Sequence, residues 1–115
     1  MNRSATFFGV VLSLGVSVGA SVANATDILW ANVSAVGKLT KGEGAASAER
    51  QAKGTYLVSF NGDVSKCNYG ISLTNYGVAF TRPSVSDKSS VFIGIVDING
   101  ADFKDTSFYL QVICK

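Results

Sequence analysis

Apolar and polar positions alternate through most of the chain after residue 54. In the run Gly54 to Phe60, Tyr56, Val58 and Phe60 fall on one face. From Cys67 to Leu73, the shared face holds Cys67, Tyr69, Ile71 and Leu73. From Ser107 to Cys114 it holds Phe108, Leu110, Val112 and Cys114. Residues two apart lie on the same side of an extended chain, so these segments read as half-buried strands. Ile28 to Val33 predicts a short strand around Trp30, and Val36 to Leu39 reads as its continuation after a bend at Ser34-Ala35. Gly44 to Arg50 is small and polar, the composition of an edge strand or a loop. Val78 to Val85 contains the only proline, Pro83, which suits an edge strand or a bulge.

Ser90 to Ile98 departs from simple alternation, being apolar on both faces. Val91, Ile93 and Ile95 take one side; Phe92, Val96 and Ile98 take the other. Turn residues punctuate the strands at Asn61-Gly62-Asp63, Asn75-Tyr76-Gly77, Ser86-Asp87-Lys88 and Asn99-Gly100-Ala101-Asp102. About six or seven short strands at this spacing predict a compact antiparallel β-sandwich or a jelly-roll-like barrel. A packed helix over Lys41 to Lys53 is not expected, because Gly42 and Gly44 interrupt it and no apolar stripe runs along it.

The first 25 residues follow a different pattern. Arg3 is followed by an uncharged run from Ala5 to Val22, then by Ala23-Asn24-Ala25. A positive start, an apolar stretch and a small-x-small end make a secretory signal peptide over 1–25. The alternative is a membrane anchor, but a span needs about 20 strongly apolar residues, and Gly9, Ser13, Gly15, Ser17, Gly19 and Ser21 dilute this one. The expectation is a single secreted or periplasmic β-domain over 26–115, not membrane-embedded after cleavage.

That compartment changes the reading of Cys67 and Cys114, the only two cysteines. An even count in a short exported domain favours a disulfide. Each cysteine also sits on the apolar face of its own strand, so both sulfurs point at one core. Closing a loop of 47 residues would stabilise the fold by about 4 kcal/mol in the chain-entropy picture.

The segment Gly54-x-Tyr56-x-Val58-x-Phe60-x-x-Asp63-Val64-x-x-Cys67-x-Tyr69 resembles a short module of small exported bacterial proteins, one with no assigned activity. The ending Phe108-x-Leu110-x-Val112-x-Cys114 is similar to that module's terminal strand. Gly37-x-Leu39-x-x-Gly42-x-Gly44 adds to the likeness, which spans roughly Asn32 to Cys114. The resemblance implies a compact all-β domain with a strand-to-strand disulfide. The chain is without the long Pro/Gly-rich insertion found in the middle of many members.

Composition narrows the chemistry. The 115 residues hold 47% apolar and 16% charged residues, which excludes a disordered chain. A net charge of +2 is too small for a nucleic-acid footprint. There is no histidine, which removes Ser-His-Asp and Cys-His nucleophilic systems and the commonest general base. Ser84, Ser86, Ser89 and Ser90 lie near Lys88 only within a turn. Asp97, Asp102 and Asp105 could be read as paired carboxylates or as the start of a calcium loop, but they flank an Asn-Gly turn, where Asp serves the backbone. Asp63 is likewise expected to close a turn. Trp30, a lone aromatic on a short strand, is expected in the core, with ligand stacking as the alternative. Lys38, Lys41, Arg50 and Lys53, interrupted by Glu43 and Glu49, read as a solvated face rather than an anion site.

No catalytic residue, metal site or cofactor is expected. The function that follows is a non-enzymatic binding, surface or host-interaction module acting on an unidentified protein or surface partner. The alternative is a secreted inhibitor of a foreign hydrolase. Self-association is a further possibility: if the last two strands are near neighbours, Phe92, Val96, Ile98, Tyr109 and Ile113 form one exposed patch. The simpler expectation is cover by the Trp30 strand and the Lys41 to Lys53 segment.

Overall fold

The computed structural model describes residues 26–115; the expected signal peptide lies outside the described residues. There are eight strands and no helix among the described residues. They are β1 (Asp27–Val33), β2 (Leu39–Glu43), β3 (Ala45–Ala52), β4 (Thr55–Phe60), β5 (Asn68–Leu73), β6 (Val78–Pro83), β7 (Ser90–Val96) and β8 (Phe108–Cys114). They form two antiparallel four-stranded sheets, ordered β2-β1-β8-β5 and β3-β4-β7-β6. The all-β, antiparallel, two-sheet expectation holds, with a higher strand count than the sequence suggested.

The extra strand comes from the segment after Trp30. Val36 does not continue β1 but sits exposed in a tight turn. Gly37, at φ 91°, turns the chain back on itself. Ser34 closes that turn, accepting the Gly37 N–H at 2.9 Å through its carbonyl and the Lys38 N–H at 3.1 Å through its hydroxyl. β2 then pairs antiparallel with β1. Gly44, at φ 77°, carries the chain across to the second sheet. As expected, β3 and the proline-bearing β6 are edge strands.

The core lies between the inward faces. Ala31, Val33, Tyr56, Val58, Phe60, Val64, Val91, Ile93, Ile95, Phe108, Leu110 and Val112 are all buried. Tyr56 and Phe108 meet across the two sheets edge to face, their ring centres 5.1 Å apart. Cys67, just before β5, and Cys114, at the end of β8, form the expected disulfide, with Cα atoms 4.6 Å apart. It staples neighbouring strands of one sheet where both ends approach the core.

The two C-terminal strands are not neighbours. β7 belongs to one sheet and β8 to the other, so Phe92 and Val96 face away from Tyr109 and Ile113 on opposite outer surfaces. A single patch made from both strands is therefore excluded. The expected cover is absent too, since β1 lies beside β8 and β3 lies beside β4, each within its own sheet. Phe92 is instead half-buried by its neighbours on β6. Arg82 lies 4.5 Å above its ring centre, and Phe80 lies 6.3 Å away.

Candidate functional site

Most polar side chains that invite a chemical reading are engaged by their own loops. Asp97 accepts the N–H groups of Asn99 and Ala101, each at 3.1 Å, while its own N–H donates to the Asp102 carbonyl at 2.8 Å. This is turn chemistry, as expected. Asp63 accepts from the Ser65 N–H at 2.9 Å and hydroxyl at 2.6 Å, which holds its carboxyl below the usual aspartate range. Asp87 is lowered for the same reason, by Ser89 and Ser90. Ser90 also shares a 2.8 Å hydrogen bond with Ser59. Among the described residues no group of three or more potential ligands could hold a metal ion.

Asp105 departs from the turn reading. It does not serve the Asn99-Gly100 turn but receives Arg50 from β3, with Nε 3.0 Å from each carboxylate oxygen. The Gly54 N–H donates to it at 2.7 Å and the Tyr56 hydroxyl at 3.3 Å. Arg50 foremost, then the Gly54 amide, keeps this carboxyl below its ordinary value. That hydroxyl's single proton is shared with a nearer acceptor, the Ala35 carbonyl at 2.7 Å, and burial first of all raises the Tyr56 pKa. Arg50 thus leaves the basic stretch to become part of a structural lock.

The residues of the resembling motif have structural duties. Gly54 takes φ 71° at the β3–β4 turn. Tyr56, Val58 and Phe60 fill the core, and Tyr69 donates its hydroxyl to the Val64 carbonyl at 2.6 Å. These residues supply a turn, core positions and a loop-closing hydrogen bond.

The outer face of the β2-β1-β8-β5 sheet is different. Register sets Trp30 opposite Gln111 and Gln111 opposite Gly70; the next row is Asn32, Tyr109 and Ser72. All point away from the core, because Ala31 on β1 and Leu110 and Val112 on β8 point into it. The core expectation for Trp30 is thereby overturned: alternation around buried Ala31 and Val33 forces it outward. Tyr109 is 53% exposed. The six residues line a groove of about 410 Å³ with backbone from Ile71 and Leu110, within the ~300–1,000 Å³ usual for ligand sites. No charged residue lines it. Among the described residues, the side chains of Trp30, Asn32, Ser72, Tyr109 and Gln111 have no hydrogen-bond partner; Asn32 contributes only its backbone carbonyl, to Thr40.

Gly70 opens the groove. Its backbone is not left-handed, and a Cβ built on it would meet no atom within 4 Å. Neither chain geometry nor packing requires glycine there, although glycine inside a strand weakens it. Gly94 on the opposite sheet is the contrast, since its missing side chain makes room for the Phe80 ring.

Two other concavities have less to offer. One, of about 430 Å³, is the crook of the β5–β6 turn, lined by the consecutive residues Leu73 to Tyr76. Another, of about 260 Å³, lies beside the disulfide, where Asp63 is occupied by Ser65.

No family model, no curated protein and no solved structure matches the chain. Among the described residues no helix is long and apolar enough to cross a membrane.

Proposed function

We propose that the chain is an exported, non-enzymatic β-domain that binds a partner by contact through the outer face of the β2-β1-β8-β5 sheet. One observation carries the reading. Trp30 on β1 and Tyr109 on β8 lie on the outer face, with an unfilled glycine, Gly70, on the neighbouring edge strand β5, among side-chain amides and hydroxyls that have no hydrogen-bond partner among the described residues. Large aromatic side chains ordinarily lower the free energy of a fold by being buried. Here Tyr109 remains largely exposed and Trp30 is only half-buried on the outer face.

The disulfide suits the oxidising compartments outside the cytosol, and the signal-peptide pattern of 1–25 supports export there. Turn chemistry occupies Asp97, and Arg50 occupies Asp105, which favours binding over hydrolysis.

The test is a paired capture experiment on native extracellular material with the wild-type protein and Gly70→Val. The reading expects a retained species that the valine variant loses. Identical retention by both proteins, or turnover of a polymer substrate that is lost in Asp97→Ala, would count against it.

A further inference from the structure

We propose that the Trp30–Tyr109 groove binds a neutral oligosaccharide chain; the proposal rests on the contact-binding reading and names its ligand class. A sugar ring offers two kinds of surface. Its C–H face packs on aromatic rings, whose negative π-faces attract polarised hydrogens. Its rim of hydroxyls both donates and accepts, which matches side-chain amides better than any charged group.

The groove supplies both kinds of contact. Trp30 and Tyr109 occupy diagonal cross-strand positions, about 7–8 Å apart in such pairs, so one ligand can touch both. Asn32 and Gln111 take the other diagonal of the same four positions, and among the described residues their side-chain amides have no hydrogen-bond partner. Gly70 leaves the floor open on the β5 side, so a chain can lie across the strands.

Charge argues the same way. The lining is uncharged, and on β2 the flanking positions are Lys41 opposite Asn32 and Glu43 opposite Trp30, one of each sign. A polyanion such as a nucleic acid would need a basic groove. An added peptide strand would pair with the free backbone edge of β5 or β2, whereas this groove lies on the outer face across β1, β8 and β5.

The chain has a single tryptophan, so its emission reports on this groove alone. The full chain, expressed with its own leader and recovered oxidised, is titrated with cellohexaose, chitohexaose, xylohexaose and maltohexaose. The proposal expects a saturable change in tryptophan emission with at least one of them. Gly70→Val, whose Cβ enters open space, should keep its melting temperature and weaken that binding by about tenfold or more. Tyr109→Ala should weaken it as well. Binding that Gly70→Val leaves intact overturns the proposed site.

An absence of any emission change up to solubility overturns the glycan class. In that case the capture experiment separates the two readings. A partner lost in Gly70→Val leaves the contact-binding reading standing with a different ligand, whereas indifference to the substitution removes both.

Discussion

Arg50 and Asp105 stand 55 residues apart in the chain and meet at 3.0 Å, tying edge strand β3 to the segment that leads into β8. The same carboxylate holds the N–H of buried Gly54 and touches the hydroxyl of buried Tyr56. One side chain therefore joins the β3–β4 turn, the core and the approach to the last strand. This arrangement gives the fold an acid sensitivity.

Asp105, Asp63 and Asp87 all have carboxyl groups held below the ordinary aspartate value of 3.8 by hydrogen bonds made only in the folded chain. The folded state therefore takes up protons less readily than the unfolded one. Their contribution is complete above that value and is lost as pH falls through the lower folded values. Thermal unfolding followed across pH should show a melting temperature that drops below about pH 4. Asp105→Asn should start lower at neutral pH and lose less on acidification. A parallel fall in both proteins would assign the acid sensitivity elsewhere.

Removing the same carboxylate altogether strands the Gly54 amide. Asp105→Ala should cost about 1–3 kcal/mol, the range for leaving a buried donor without a partner. Denaturant unfolding measures it, and Arg50→Ala, which removes an exposed partner but leaves the Gly54 amide satisfied, should cost less.

The disulfide should carry a larger share. Cys114→Ser opens a 47-residue loop and should lower stability by about 2–5 kcal/mol, the range for native disulfides of small exported domains. Alkylation of the denatured wild-type protein without reductant should label neither Cys67 nor Cys114. Labelling of both would refute the bond.

Gly94 and Phe80 should behave as one unit. A Cβ on Gly94 falls within the space of the Phe80 ring, so Gly94→Ala should destabilise by about 1–3 kcal/mol through overpacking. Phe80→Ala removes the obstacle, and the double variant should be more stable than the sum of the two single effects predicts. Strict additivity in denaturant melts would mean the ring moves aside freely.

Export predicts a processed chain. Protein recovered from periplasm or medium should have an intact mass beginning at Thr26, from cleavage after Ala25. The unprocessed chain in the membrane fraction would contradict the signal-peptide reading.

Local pattern was enough for much of this molecule. Alternation by itself placed Tyr56, Val58, Phe60, Phe108, Leu110 and Val112 inward and aligned Cys67 with Cys114, because the side of a strand on which a residue falls depends only on its parity along the chain. Small polar residues in Gly44 to Arg50 left an edge strand or a loop, and Pro83 left an edge strand or a bulge; assembly of the sheet made both edge strands. Turn roles for Asp63 and Asp97 followed from their neighbours in sequence.

What lay beyond the sequence, the Cys67–Cys114 pair apart, was how distant segments meet. Trp30 is on the outside because Ala31 and Val33, small but buried, take the inward positions of β1, and side-chain size alone pointed the other way. Arg50 finds Asp105, β7 parts from β8, and Gly70 comes to lie across from Gln111 only once the sheets are assembled. Strand pairing is decided by which apolar faces bury together over the whole domain, and no window of neighbouring residues contains that comparison.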